Sequence, residues 1–383
     1  MEGIHMNRCT QLFLTMFAAV VFVWTVPFAA HAQQTLDELL PVRGLSLAAP
    51  QPDDVDDFIT FMREELVPRR VNVMVLRINY NYAFESYPQL SSNNPLTLEH
   101  TRRIAAAARE GGIRILPQVN LLGHQSWHGT IHGLLREFPE FDETPDVVLP
   151  EEYVWPNEDG LYTKSYCPLH PEVHDVVFAV VDEILDAFEA DGFHAGMDEV
   201  FYIAHDQCPR CRGKDPAELF AGEVTKVRNH LAASGAEMWI WGDRLIDGRA
   251  TGLGMWEASM NNTHRAVNMI PRDVVITTWH YTTGTPMHAY FAAKGFRSVI
   301  CPWNIPQTGT QQLELTLLMR AYSTSEMRDN MPGVMHTVWS STRAFMDQFY
   351  GVRPHEDARG RSTVQTFRDL FDAILELEEP LAE

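Results

Sequence analysis

Residues 171–199 read PEVHDVVFAVVDEILDAFEADGFHAGMDE and contain one complete helix-to-strand unit. From Pro171 to Ala190 the apolar residues recur at the spacing of an amphipathic helix. The short apolar run after Gly192 then reads as a buried strand that ends at Asp198 and Glu199. A helix that leads into a continuous apolar strand is typical of a parallel sheet with both faces covered.

The same alternation extends outward in both directions. Strand-like runs occupy 43–48, 71–78, 113–121, 192–199, 238–241, 274–279, 298–303 and 333–339, and helical patterns occupy 53–66, 97–110, 171–190, 216–233 and 364–378. Eight such strands, separated mainly by helices, predict an α/β chain folded as a single (β/α)8 TIM-type barrel. No G-x-G-x-x-G follows the first strand and no P-loop occurs, so nucleotide-binding folds lose support.

The N-terminus has the pattern of an export signal. An apolar stretch from Leu12 to Ala30 follows Arg8, and Ala30-His31-Ala32 has the small-residue form of a cleavage site. We therefore expect residues 1–32 to be a signal peptide, with an uncleaved membrane anchor as the alternative. Residues 33–383 are then one barrel with a long loop at 123–170 and a C-terminal helix. The mature protein is expected to be exported, periplasmic or secreted, with no further membrane segment.

Charge and cysteine content narrow the possible partners. The formal net charge of −21 argues against nucleic acid, since polyanions are bound by basic patches. Four of the five cysteines follow residue 32, which is too few for a disulfide scaffold in a chain of this size. Cys208 and Cys211 have C-x-x-C spacing, which fits a disulfide that pins a loop, half of a zinc site, or no special role.

The polar and aromatic residues of interest fall at strand ends. In a barrel of this kind the active site lies at the C-terminal ends of the strands. In chain order those ends carry Asn79, Asn81, Asn120, His124, Asp198, Glu199, Trp241, Asp243, Trp279, His280, Trp303, Asn304 and Trp339. Four strands end in tryptophan, which predicts an aromatic-walled cavity suited to the apolar face of a sugar or to an acyl group.

Asp198 and Glu199 are the candidate catalytic pair. Most glycosidases place two carboxyl groups on either side of the scissile bond, about 5–5.5 Å or 6.5–9.5 Å apart. Neighbours on one strand cannot easily flank a sugar, because consecutive side chains diverge. One of them can instead act as the acid while the other orients a nucleophile that belongs to the substrate. Mutual repulsion in a desolvated site is expected to raise one pKa of the pair.

At these residues the chain resembles glycoside hydrolase family 20, the β-N-acetylhexosaminidases. The segment from Phe193 to Glu199 resembles the family's H-x-G-x-D-E signature. Arg43-Gly44-Leu45 on the first strand and the Pro117–His124 segment on the third are similar to family segments, and so are Trp241-Gly242-Asp243, Trp279 and Trp339. The resemblance covers roughly residues 42–345. The small domain that commonly precedes the family's barrel is expected to be absent.

The resemblance implies removal of terminal β-linked N-acetylhexosamine with retention. The substrate's acetamido oxygen attacks the anomeric carbon to give an oxazolinium ion, with no metal or organic cofactor. By position Glu199 is the acid/base, and Asp198 holds the acetamido N–H. The expected substrate-binding residues are His124, Asn120, Trp241, Asp243, Trp279, Tyr281, Trp303 and Trp339. The expected partner is an N-acetylhexosamine-containing glycan.

Several positions depart from the family pattern. Leu47-Ala48-Ala49-Pro50 stands where a basic residue usually grips sugar hydroxyls, and Arg77-Ile78-Asn79 where acidic residues are usual. Ser340-Ser341 follow Trp339 where an acid is frequent. The usual tyrosine beside the seventh strand has no clear match, and Tyr281 is the candidate substitute. These changes leave the sugar and its linkage open.

Two other functions fit some of the residues. His124, His128 and His132 recur every fourth position, as on a helix face, and could serve a metal-dependent hydrolase with Asp198, although Gly123, Gly129 and Gly133 disfavour that helix. A carbohydrate-binding barrel without turnover is the second, motivated by the altered hydroxyl-binding positions. The long loop carries Trp127, Trp155, Tyr162 and Tyr166, and we expect it to close over the barrel mouth as a wall for the aglycone. A packed structural loop is the alternative.

Overall fold

A computed structural model of the chain describes residues 34–127, 129–149 and 163–378. The expected signal peptide at 1–32, His128 and the predicted aglycone residues Trp155 and Tyr162 lie outside the described residues. Tyr166 is fully buried and its hydroxyl donates to Oε1 of Glu223 at 2.6 Å, so its expected place in the aglycone wall is wrong. Within the described ranges, no helix has both the length and the apolar character needed to cross a membrane.

Eight parallel strands close into a barrel, so the predicted fold class is confirmed. The strands pair in the order β1-β8-β7-β6-β5-β4-β3-β2, with β1 and β2 closing the ring. Their bounds are Val42–Ala48 (β1), Val73–Arg77 (β2), Arg114–Leu121 (β3), Gly192–Gly196 (β4), Glu237–Trp241 (β5), Val275–Trp279 (β6), Ser298–Cys301 (β7) and Gly333–Thr337 (β8). All eight fall within or next to the apolar runs of the sequence.

Helices cover the outside of this barrel. The main ones are Val55–Phe61 (α1), Leu98–Glu110 (α2), Val173–Phe188 (α3), Pro216–Ala233 (α4), Met287–Ala293 (α5), Pro306–Ala321 (α6), Thr342–Phe349 (α7) and Thr363–Glu376 (α8). Shorter helical segments are Leu36–Leu39, Pro52–Asp54, Met62–Leu66, Pro88–Leu90, Gly133–Glu137, Pro139–Phe141, Asp243–Leu245, Gly248–Thr251, Gly254–Glu257, Thr263–Asn268 and Ser325–Asp329.

Local sequence explains where several of these helices begin. Thr97 caps α2 by accepting a hydrogen bond from the backbone N–H of His100, and Asp215 caps α4 in the same way through Ala217. Pro216 and Pro306 occupy the first position of α4 and α6, where a missing N–H costs nothing. The capping side chain or proline lies next to the first turn of each helix, so the nearby sequence determines where these helices begin.

The barrel interior is a separate core from the layer between strands and helices. It contains Val73, Val75, Leu116, Trp239, Trp241, Val275, Trp279, Val299, Cys301 and Met335. Large aromatic side chains fill the upper part of this interior, which leaves a polar cavity only at the C-terminal ends of the strands. The cavity described next therefore sits where a barrel of this type places its active site.

The histidine run, in the part that the structure describes, does not form the helix that its spacing would allow. His124 has a left-handed backbone (φ 53°), Ser126–Trp127 and Thr130–Ile131 pair as a short antiparallel hairpin, and His132 precedes the short helix Gly133–Glu137. A hairpin turn between the first and last histidines removes the common face that a helix would give them. Glycine at 123, 129 and 133 is consistent with this outcome.

Candidate active site

A cavity of about 600 Å³ opens at the C-terminal ends of the barrel strands. Eight of the ten predicted catalytic and substrate-binding residues line it, together with four others. The lining residues are Arg77, Asn79, Asn120, His124, Trp127, His132, Asp198, Glu199, Trp279, Tyr281, Trp303 and Trp339. Its size suits a sugar ring with a substituent, which is within the range of small-molecule sites.

Both catalytic candidates face the same side of this cavity. Asp198 Oδ2 and Glu199 Oε2 each lie 3.1 Å from Nε2 of His124, and both side chains are about nine-tenths buried. A strand would send neighbouring side chains to opposite faces. Here β4 has already ended at Gly196, and the pair lies in the turn beyond it. The two acids therefore share one histidine rather than diverging.

Left-handed backbone makes this turn possible. Gly196 (φ 68°), Met197 (φ 67°) and Glu199 (φ 49°) all have positive φ, and Met197 and Glu199 are not glycine. A Cβ at Gly196 would lie 2.6 Å from Oδ1 of Asn120, so only glycine fits there without displacement of the neighbouring strand. Strain of this kind persists only where the surroundings impose it, and it concentrates at functional sites.

Asp243 imposes part of that geometry from behind the cavity. Its Oδ2 accepts hydrogen bonds from the backbone N–H of Glu199 at 2.9 Å and from Nε of Arg244 at 2.7 Å. Burial raises the pKa of Asp243 to about 6, although the Arg244 guanidinium opposes that rise. The side chain is only 2% exposed and does not line the cavity, so direct substrate contact by Asp243 is corrected to a positioning contact with Glu199.

Trp241 is likewise below the cavity rather than in its wall. It is fully buried in the barrel interior, with its ring 4.7 Å from that of His194 and 5.8 Å from that of Trp339. The sequence located the tryptophan at a strand end, but the side chain is fully buried and does not line the cavity. The expectation that Trp241 touches the substrate is corrected to support of Trp339.

His124 lies against both acids, and its positive charge offsets the repulsion between their carboxylates. Burial disfavours its charged form, but the Asp198 and Glu199 carboxylates outweigh burial and raise the pKa of His124 well above its usual value. For Asp198 burial favours the neutral acid, yet the His124 cation lowers the pKa of Asp198 below its ordinary value. The expected rise through mutual repulsion therefore does not occur at Asp198, because an imidazolium lies against both carboxylates.

His194, the histidine of the H-x-G-x-D-E segment, has a structural position. Its Nδ1 accepts a hydrogen bond from the N–H of Gly196 at 3.1 Å, so its Nε2 carries the proton that faces Oγ1 of Thr277 at 2.9 Å. Burial lowers the pKa of His194 to about 3. The ring is thus neutral and holds the end of β4 instead of taking part at the cavity surface.

Aromatic side chains form the wall opposite the acids. Tyr281 stacks on Trp279 with ring centroids 5.2 Å apart and meets the edge of Trp303. Its hydroxyl accepts a hydrogen bond of 2.8 Å from Nε1 of Trp339, which leaves its own proton for another acceptor. Trp127 stacks near His124 at the rim and is 48% exposed.

Arg77 is a cavity residue that the sequence did not identify. Its guanidinium lies over Trp339, 4.5 Å from the ring centroid, and Nη2 donates to the carbonyl of Val338 at 2.8 Å. Nη1 is buried and has no hydrogen-bond partner among the described residues. Burial lowers the pKa of Arg77 to about 10, which keeps it charged at neutral pH. Its position as the last residue of β2 was the available signal, because strand ends face this cavity.

Asn79 and Asn120 extend the polar side of the cavity. Asn79 has positive φ (48°) and its Oδ1 accepts from the N–H of Asn120 at 2.9 Å. Oδ1 of Asn120 accepts from Nε2 of Gln118 at 2.6 Å, so its amide nitrogen faces outward as a donor. Two adjacent strands therefore present fixed amides beside the catalytic pair.

The one possible metal-ligand set in this cavity consists of His124, Asp198 and Glu199, among the residues that the structure describes. His132 does not join them, since its Nδ1 bonds the carbonyl of His124 at 2.8 Å. His128 lies outside the described residues. The histidine run therefore does not assemble as a metal site through His124 and His132, while the three-residue set also has a complete explanation as an ion-paired acid group.

Comparison with known proteins finds one family whose catalytic domain matches most of this chain. The sequence model of "Glycosyl hydrolase family 20, catalytic domain" matches residues 79–342. A β-hexosaminidase of Emericella nidulans is 24% identical over 217 residues, covering 51% of this chain and 32% of that protein. The chain thus spans about a third of the length of this curated relative.

Solved structures show the same fold. A chitobiase of Flavobacterium johnsoniae matches with a TM-score of 0.59 and 17% identity over 88% of this chain and 51% of its own. A β-N-acetylhexosaminidase of Bacteroides fragilis matches with a TM-score of 0.58 and 15% identity, covering 87% and 66%. At these identities the likeness concerns the barrel alone.

Proposed function

Because the chain belongs to glycosyl hydrolase family 20, we propose that it removes terminal β-linked N-acetylhexosamine from glycans, with retention and by substrate-assisted catalysis. Glu199 is the proposed general acid and base. Asp198 is proposed to orient the acetamido N–H and to offset the positive charge that develops on that group.

One observation carries this proposal. The two acids among the described lining residues, Asp198 and Glu199, lie on one side of the cavity and share His124. The facing wall is aromatic, and Asp243, a further carboxylate near the pair, is buried behind Glu199 and so is not placed to act as a nucleophile. A two-carboxylate enzyme needs its second carboxylate across the sugar. A substrate that brings its own nucleophile removes that need.

A direct assay tests the proposal. The full chain is incubated with nitrophenyl β-N-acetylglucosaminide and β-N-acetylgalactosaminide, with the β-glucoside as control. We expect turnover of at least one acetamido sugar and little of the glucoside, because the glucoside lacks the internal nucleophile. Binding of N-acetylhexosamine without any turnover would favour the non-catalytic carbohydrate-binding barrel instead.

Tyr281 is proposed to hold the acetamido carbonyl. Its hydroxyl is fixed by Trp339 and keeps a free proton beside the stacked Trp279. Tyr281→Phe is expected to lower kcat by about 10- to 100-fold, since a hydrogen bond to a charged group contributes about 1.5–3 kcal/mol. Tyr290→Phe, a partly exposed tyrosine on α5, is the matched control. An unchanged kcat for Tyr281→Phe would remove this residue from the mechanism.

Arg77 is proposed to bind sugar hydroxyls in place of the basic residue missing after β1. The buried Nη1 donor and the cavity position support this role. Arg77→Met keeps the aliphatic packing on Trp339 and is expected to raise KM about 10- to 100-fold with a smaller change in kcat. Arg359→Met, at an exposed turn, is the control. A loss confined to kcat, with KM unchanged, would contradict hydroxyl binding.

A further inference from the structure

Three cysteines and one glutamate converge in a buried cluster outside the cavity. Glu143, Cys167, Cys208 and Cys211 each offer a ligand atom, and these four atoms lie within 4.8 Å of one another. All four side chains are fully buried, and the cysteines are free thiols. From these contacts we propose that the cluster is a structural zinc site with three thiolate ligands and one carboxylate ligand.

The sulfur spacing fits a tetrahedral ion. Sγ of Cys167 lies 3.3 Å from Sγ of Cys211 and 3.6 Å from that of Cys208. Zinc–sulfur bonds of 2.3 Å at tetrahedral angles separate ligand sulfurs by about 3.8 Å, so small side-chain rotations would admit the ion. Cys208 and Cys211 belong to one C-x-x-C turn, in which the N–H of Cys211 points at Sγ of Cys208 at 3.4 Å. Such turns supply two ligands to structural zinc.

Glu143 supplies an independent indication of a cation. Its Oε1 accepts a hydrogen bond of 3.0 Å from the backbone N–H of His205, which orients the carboxylate. Its Oε2 is buried, and the cluster groups that meet the carboxylate are the Cys208 and Cys211 thiols, which are weak hydrogen-bond donors. A buried carboxylate is costly unless strong donors or a cation meet it. One oxygen held by a backbone N–H and the other turned toward thiols is the arrangement of a carboxylate ligand with an outer partner.

A disulfide accounts for less of the cluster. Joining any two of the three sulfurs leaves one buried thiol and the Glu143 carboxylate without a counterpart. A zinc ion uses all four groups as ligands and offsets half of the four negative charges that they carry when deprotonated. The disulfide expected from the C-x-x-C spacing was based on two cysteines, because nothing in the sequence links Cys167 and Glu143 to them.

The location indicates what the ion stabilises. Glu143 and Cys167 flank the segment 150–162, and Cys208 and Cys211 lie on the connection between Glu199 and α4. Thr163 Oγ1 donates to the carbonyl of Glu199 at 3.2 Å, next to this cluster along the chain. The ion would therefore fasten the long connection after β3 to the loop that carries the catalytic pair. Long connections without regular structure are stabilised by such links.

Metal analysis of the full chain tests this proposal without reference to activity. After exhaustive dialysis we expect about one zinc per chain in the wild type and in Cys301→Ala, whose buried cysteine lies on β7 away from the cluster. Cys208→Ser and Cys211→Ser are expected to lose the metal. Glu199→Gln is expected to retain it, which separates this cluster from the His124–Asp198–Glu199 group.

Cobalt substitution of the wild type keeps the test valid even when a cysteine variant fails to fold. The cobalt(II)-substituted protein is expected to show strong thiolate-to-metal charge-transfer absorption and the visible bands of tetrahedral cobalt. Glu143→Gln is expected to keep the charge-transfer absorption and to alter the visible bands. Thiol titration of unfolded, unreduced protein is expected to find every cysteine free. Two missing thiols, or cobalt binding without thiolate absorption, would overturn the zinc site.

Discussion

Glu199→Gln is expected to slow the hydrolysis of N-acetylhexosaminides that have poor leaving groups by about 10²–10⁴-fold, the usual contribution of general acid catalysis. An aryl glycoside with an activated leaving group needs little protonation, so its loss should be far smaller. The amide keeps the size of the side chain and the backbone contact from Glu199 N–H to Asp243, while it removes the transferable proton.

The measurement compares kcat/KM for a nitrophenyl glycoside and a natural-type oligosaccharide. Glu314→Gln, an exposed glutamate on α6, is the matched control and should change neither value. Equal losses on both substrates would contradict an acid role for Glu199. They would point instead to a general disturbance of the cavity, such as loss of the contact with His124.

Asp198→Asn is expected to lower kcat by about 10²–10³-fold, in the range found when a preorganised electrostatic contact is removed. Asp198 has its pKa lowered by His124 and is ionised at neutral pH, so it can offset positive charge on the acetamido group. A neutral amide cannot. A thiazoline that mimics the cyclic intermediate should inhibit the wild type strongly and the variant much less.

Product configuration and substrate scope test this mechanism further. The first released sugar should have the β configuration, as followed by NMR during the first turnovers; this excludes inversion but is shared by a retaining enzyme with its own nucleophile. Asp372→Asn, at an exposed position on α8, should leave kcat unchanged. Efficient cleavage of a plain β-glucoside would instead show that the enzyme carries its own nucleophile, and the substrate-assisted proposal would be wrong.

With zinc bound at the cysteine cluster, a loss of activity on chelation does not by itself identify a catalytic metal. A metal-dependent hydrolase loses activity on chelation because the metal acts on the substrate. A glycosidase that uses zinc to hold the loops behind Glu199 can lose activity as well, through local unfolding. Chelator sensitivity alone therefore does not distinguish the two functions. Metal content in Glu199→Gln and Cys208→Ser does, because only the ligand variant should lose the ion.

The barrel was predictable from the sequence because strand and helix periodicity are local. The apolar runs and the amphipathic segments between them located all eight strands, and caps such as Thr97 and Pro216 marked helix starts. Side chains at strand ends were also assigned to the correct end of the barrel, since parallel strands all point the same way. This placed Asp198, Glu199, His124 and most of the aromatic wall at one cavity.

The tertiary structure decided how deeply each of these side chains is buried and in which direction it points. The left-handed backbone at Met197 and Glu199 turns both acids toward His124, and no periodic pattern encodes those φ angles. Trp241 and Asp243 are buried and do not line the cavity, whereas Arg77, the last residue of β2, does; no pattern along a single strand encodes this difference.

By itself the sequence predicted the (β/α)8 fold and nominated Asp198 and Glu199 as the catalytic pair, because strand and helix periodicity and the short H-x-G-x-D-E segment are local patterns. Only the tertiary structure decided that His124 bridges the two acids and that Asp243 holds Glu199 from behind. It alone also brought Glu143 and Cys167 to Cys208 and Cys211. These contacts join segments that are distant along the chain, and their geometry depends on how the barrel packs its loops together.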